Sequence, residues 1–141
     1  MRWKLASVPE GVLARRAARH LHTACDLVPV RVAIVLFRTW FNGWCTRRRF
    51  QTRHSQCLLG CETVPGAGYA HECLDSIEHY AVCEFKWRIF QVKLRQPQQP
   101  QTLPRFLGLD GGTLDDKVSL ACHIYAVRSA TNRCRSSGLV L

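Results

Sequence analysis

The chain reads as mainly α: a small helical domain with a Cys-Cys-His-Cys loop and helix, and a separate C-terminal helix. Three observations carry that reading. Apolar residues recur at helical spacing after Pro29 and again after Thr113, residues that favour helix starts stand where those patterns open, and Cys57, Cys61, His79 and Cys83 form two pairs of ligand-type side chains with the same internal spacing.

The 141 residues are one domain's worth, and an apolar fraction of 47% is ordinary for a globular chain. A net charge of +10 is less ordinary and suits a polyanionic partner, either nucleic acid or an acidic membrane surface. The charge is unevenly spread. Residues 27–61 carry Arg31, Arg38, Arg47, Arg48, Arg49 and Arg53 with no acid, whereas residues 54–85 carry Glu62, Glu72, Asp75, Glu78 and Glu84 with no Lys or Arg. The organisation expected is a basic N-terminal helix at 1–26, a helical segment at 27–95 containing the motif at 57–83, a Gln/Pro spacer at 96–104, and a C-terminal helix and tail at 105–141.

In the first segment Val12, Arg16, Arg19 and Leu21 give a loosely amphipathic, Arg- and Ala-rich helix, a composition shared by basic surface helices and by mitochondrial transit peptides. The run from Leu27 to Phe37 is too short to span a bilayer and is broken by Pro29 and Arg31. Pro29 reads as a first helical residue, where a missing N–H costs nothing. Val30, Ile34, Phe37 and Phe41 then form the stripe expected to face inward. Asn42-Gly43 ends this helix in a left-handed cap. The tract that follows, WCTRRRFQTRH, interleaves arginines with Trp44 and Phe50. Arg47, Arg48, Arg49 and Arg53 are the candidate phosphate contacts, with rings that either stack on bases or belong to the core. A charge run of this kind is also what a solvated face looks like.

Between Cys57 and Cys61 lie three residues, between His79 and Cys83 three more, and between the pairs seventeen. Structural zinc takes four such ligands in a closed tetrahedron, commonly two from a turn and two from a following element. Asp75 with Glu78 suggests a capping box opening a helix over 76–83, on which His79 and Cys83 share a face. His71 and Cys73 stand close enough in sequence to replace a member of the set, with His54 a weaker substitute. Free thiols as buried core, or a disulfide framework among the eight cysteines, are the competing readings. The absence of a secretory signal argues against disulfides and for a reducing compartment, nucleus or cytoplasm, with the mitochondrion as alternative.

The segment Phe85, Trp87, Ile89 reads as strand alternation or as a continuing helix. Gln96 to Pro104 is expected to be extended. Thr113 and Asp116 make a capping-box pair for a helix reaching about Arg135, with Val118, Ala121, Cys122, Tyr125 and Ser129 facing inward and Arg128, Arg133 and Arg135 complementing the helix dipole.

RTWFNGWCTRRRFQ, followed by CLLGC, DSIEHYAVC and FLGLD, resembles the region downstream of the polymerase core in reverse transcriptases of non-LTR retrotransposons of protist type. The resemblance spans residues 30 to 135. It implies a thumb or linker end followed by a zinc motif at Cys57, Cys61, His79 and Cys83, and a nucleic-acid partner, RNA or DNA. Tyr-x-Asp-Asp does not occur, nor a basic-Pro-Asp endonuclease signature, and the interval between Cys61 and His79 is longer than the pattern. The expectation is a non-catalytic, zinc-stabilised, nucleic-acid-binding remnant of such a protein, with structural zinc as its cofactor. The alternatives are a metal-free basic interaction protein, a mitochondrially targeted protein, or a translated decayed element without selected function.

Overall fold

The computed structural model describes residues 10–46, 50, 56–59, 61, 73–94, 102–110 and 112–138. Six helices follow in order: α1 (Glu10–Leu27), α2 (Val30–Trp40), α3 (Ile77–Val82), α4 (Glu84–Leu94), α5 (Leu103–Phe106) and α6 (Leu114–Ser137). Among the described residues the only extended pairing is an isolated antiparallel bridge between Gln56 and Leu74. The fold is mainly α, as expected, and none of its described helices is long and apolar enough to cross a membrane.

α1, α2 and α6 pack on one another, α3 packs on α5, and α4 packs on α6. On α1, Ala17, His20 and Ala24 recur at helical spacing and are buried. The two alanines let this helix approach its neighbours closely, and Arg16 reaches past the end of the core to donate to the Leu109 carbonyl at 3.2 Å. α6 does not stand apart as the sequence suggested. Its Leu120, Ala121, Ile124 and Val127 belong to the same core as Leu36 and Trp40 of α2 and Trp87 of α4.

Pro29 caps α2 rather than opening it: its carbonyl accepts from Val32 N at 2.7 Å and Ala33 N at 3.3 Å. The buried face of α2 is Val32, Ala33, Val35, Leu36, Thr39 and Trp40. Val30, Ile34, Phe37 and Phe41, expected inside, are exposed. The reason is physical. Apolar side chains run nearly all round this helix, so periodicity alone does not set its phase. Hydrogen bonds do: Trp40 Nε1 donates to the Leu107 carbonyl and Trp44 Nε1 to Thr39 Oγ1, each at 2.8 Å, and Thr39 Oγ1 donates on to the Val35 carbonyl. The helix closes as the Asn-Gly pair predicts. Asn42 takes φ 52°, Asn42 N donates to the Thr39 carbonyl and Gly43 N to the Arg38 carbonyl, the two bonds of a Schellman motif.

Residues 84–94 are helical, resolving the ambiguity there: Lys86, Trp87 and Phe90 are buried while Phe85 and Ile89 are exposed. The spacer gives up its last residues to α5, where Thr102 accepts from Arg105 N and Phe106, Leu107 and Leu109 are wholly buried. The capping box of Thr113 and Asp116 forms as expected, with Thr113 N donating to Asp116 Oδ2 at 2.9 Å and Asp116 N to Thr113 Oγ1 at 3.2 Å. The inward stripe of α6 is displaced from the one predicted. Ala121 is buried and Val118 and Tyr125 pack partly buried against the core, but Cys122 and Ser129 are exposed, and Leu120, His123, Ile124, Val127, Thr131 and Cys134 complete the face.

Two positions in this core yield testable consequences. Gly108 has φ +68°, and a Cβ there would overlap the His20 ring. Gly108→Ala is therefore expected to destabilise the fold by about 2 kcal/mol or more from left-handed strain and overlap, measured by urea unfolding; an unchanged midpoint would contradict the packing. His123 lies among Trp87, Phe90 and Phe106, its Nε2 buried without a hydrogen bond. Burial pushes its imidazole down from 6.5 to about 2, with the Lys86 cation adding to the effect. The unfolded chain takes up this proton and the folded chain does not. The stability that this neutral imidazole allows is therefore fully present above about pH 6.5 and is lost as pH falls towards 2. His123→Leu should gain over the native chain about 1.4 kcal/mol per pH unit below that point, and equal pH slopes for the two would contradict it.

Candidate metal centre

The two halves of the centre are positioned differently. His79 lies in α3, a helix of six residues whose N-cap is Ser76. The Ser76 hydroxyl accepts from His79 N at 3.0 Å, so the residue that caps the helix also fixes the backbone of the candidate ligand. Asp75 and Glu78 therefore do not form the expected capping box; the cap falls one residue later. Cys83 is the C-cap of α3, with φ −59° and ψ 113°, and its carbonyl accepts from Trp87 N at 3.1 Å to begin α4. The Cys83 thiol thus projects from the joint between two helices.

The upstream pair comes from the short loop after the Gln56–Leu74 bridge. Cys57 N donates to the Cys73 carbonyl at 2.8 Å, which holds the loop against the chain leading into α3. Leu58 and Leu59 of this loop are buried, and Leu58 N donates to the Tyr80 hydroxyl at 3.4 Å. The hydroxyl in turn donates to Asp75 Oδ1 at 2.8 Å. Asp75, whose side chain is 0% exposed, receives Arg135 of α6 through Nη2 at 2.5 Å and Nε at 3.3 Å. One connected path runs from the ligand loop through α3 to the last turn of α6. Burial, and next the Asp75 carboxylate, push the Tyr80 hydroxyl well above its usual range and keep it a donor.

These elements bring the four predicted residues together. One ligand atom from each of Cys57, Cys61, His79 and Cys83 lies within 4.8 Å of every other, with Cys61 Sγ 3.1 Å from His79 Nε2. A tetrahedron with Zn–S of about 2.3 Å has edges of about 3.7 Å, so small adjustments would seat one ion among them. Cys57 and Cys83 are buried and Cys61 is half-buried, leaving the set closed on its inner side. The neighbouring Cys83 sulfur, and next burial, push the Cys57 thiol up, while the interaction with Cys57 holds the Cys83 thiol down. Burial, then the sulfur of Cys73, raises Cys61 to about 12. Three sulfurs converging on an imidazole is a donor set fitted to a borderline-soft divalent ion. The group is a possible metal site on both its geometry and the chemistry of its donors.

Of the substitutes considered, Cys73 places its Sγ 3.2 Å from Cys61 Sγ yet falls outside the mutually close set. His71 and His54 lie outside the described residues, as do Arg47, Arg48, Arg49 and Arg53. Trp44, considered for base stacking, is wholly buried against Tyr80 and Phe106. Sequence reasoning missed Tyr80, the Asp75–Arg135 pair and the buried Lys86, whose Nζ lies 3.9 Å from the Trp87 ring centroid and 4.3 Å from that of Phe106. Arg135, beyond complementing the helix dipole, meets a carboxylate 60 residues away, where no local spacing could signal it.

No family model, curated protein or solved structure matches this chain.

Proposed function

We propose that this chain is a non-catalytic, zinc-stabilised nucleic-acid-binding module of the kind that follows the polymerase core in reverse transcriptases of non-LTR retrotransposons. The observation that carries the zinc half is the convergence of Cys57, Cys61, His79 and Cys83 within 4.8 Å. With all four positions filled by protein donors the ion is structural, since no coordination site is left for a substrate. It ties a loop that is mostly side-chain core to a six-residue helix too short to be stable alone.

The nucleic-acid half rests on charge. A net +10 with an acid-free stretch from 27 to 61 supports a polyanion, and Arg47, Arg48, Arg49 and Arg53 are the phosphate contacts in this reading. The retroelement kinship rests on the motif order alone. Binding of a short DNA or RNA, single- or double-stranded, is expected to weaken steeply between low and physiological salt, because phosphate contacts release counterions. Changing Arg47, Arg48 and Arg49 together to Gln should shallow that salt dependence while leaving zinc content at the native level. Binding indifferent to salt, or none at low salt, would sink the nucleic-acid half and leave the metal half standing.

A further inference from the structure

Five donors crowd a centre that needs four. Cys73 is brought there by the Gln56–Leu74 bridge and by its own carbonyl's bond from Cys57 N, and its Sγ stands 3.2 Å from Cys61 Sγ. Cys61 is thus in contact on one side with His79 Nε2, inside the ligand set, and on the other with a thiol outside it. Accessibility groups Cys61 with Cys73. Cys57 and Cys83 are buried, whereas Cys61 and Cys73 are both half-buried and reachable by a small oxidant.

We infer that Cys61 and Cys73 are an oxidation site: a peroxide joins them in a disulfide, which takes one ligand from the metal and releases it. This deepens the zinc reading of the same centre and rests on it. Cys73, the sulfur the ion does not require, reacts first. Its thiolate attacks hydrogen peroxide, an S–O bond forms as the O–O bond breaks, and hydroxide leaves to become water. Cys61 Sγ, which would otherwise serve as a metal donor, then attacks the sulfenic sulfur, forming the S–S bond and displacing a second hydroxide, which is also protonated to water. Two thiols lose two electrons, the peroxide gains them, and two waters are produced. What remains for the metal is Cys57, His79 and Cys83, a three-donor set of much lower affinity. A thiol reductant reverses the step.

The test uses the full chain loaded with one equivalent of zinc, treated with hydrogen peroxide, and followed by a chromophoric zinc chelator and by mass spectrometry of unreduced peptides. Zinc release is expected to accompany a linked peptide joining Cys61 to Cys73, and dithiothreitol with fresh zinc should restore the starting state. Cys73→Ser and Cys73→Ala should hold zinc as the native chain does before peroxide, form no linked peptide, and release zinc about tenfold more slowly or less, having lost the adjacent reaction partner. Release at the native rate from both variants overturns the inference, as does a disulfide between Cys57 and Cys83 with Cys73 unmodified. Loss of zinc from both variants before peroxide would make Cys73 a required ligand and also overturn it. A native chain that takes up no zinc at all overturns the metal centre itself, a result read before any oxidant is added.

Discussion

Stripping the metal with a strong chelator is expected to unfold the segment from Cys57 to Cys83 and to loosen the core on which it rests. α3 has six residues, far below the length at which an isolated helix persists, and its one side-chain cap comes from Ser76. Among the described residues, the upstream loop adds one bridge, the Leu58–Tyr80 contact and the burial of Leu58 and Leu59. Against that, a structural zinc of this kind contributes about 10 kcal/mol or more of binding free energy at neutral pH, comparable to the whole stability of a typical domain. Tyr80 and Trp44 pack with tilted rings in the core beside the centre, centroids 6.0 Å apart, so the loss should show as reduced helical circular dichroism and a red-shifted tryptophan emission. Readdition of zinc should reverse both. His79→Ala is expected to behave as the chelated chain does. Unchanged helix content and emission after removal would mean that the core alone holds these residues in place.

The second large effect concerns the buried pair at the far end of the same path. Arg135→Met would leave the Asp75 carboxylate, wholly enclosed, without its guanidinium, while the arginine itself is only 17% exposed. Breaking a buried pair from one side typically costs about 3 kcal/mol or more, because the remaining buried charge loses its counter-ion. The same substitution would loosen the Asp75–Tyr80–Leu58 chain that steadies the ligand loop. Such supporting contacts commonly change metal affinity by about tenfold. Arg135→Met should therefore lower the urea midpoint and weaken zinc binding together, whereas Arg133→Met, on an exposed residue of the same turns, should do neither. A native midpoint for Arg135→Met would show that the pair is solvated rather than buried.

How much of this was legible in the chain follows from the range over which each interaction acts. The candidate ligands were readable because coordination imposes its own spacing: Cys57 and Cys61 on one loop, His79 and Cys83 one helical turn apart. The Thr113–Asp116 box and the Asn42 cap were readable for the same reason, being hydrogen bonds closed within a few residues. The phase of α2 was not. Val30, Ile34, Phe37 and Phe41 make as good an apolar stripe as Val32, Val35, Leu36 and Trp40, and the choice was made by the Trp40–Leu107 bond, 67 residues distant in sequence. Nor could Asp75 be read correctly, since its carboxylate serves Arg135 and Tyr80 rather than the nearby helix N-terminus. On α6 the buried face includes His123 and Thr131, polar residues that an apolar template passes over.

X-ray absorption at the zinc edge of the purified full chain bears most directly on whether these four side chains hold an ion. One zinc per chain is expected, with three sulfurs at about 2.3 Å and one nitrogen at about 2.0 Å, the nitrogen disappearing from the spectrum of whatever zinc His79→Ala retains. A chain that purifies and reconstitutes without zinc, or a shell of four sulfurs with no nitrogen, would contradict it.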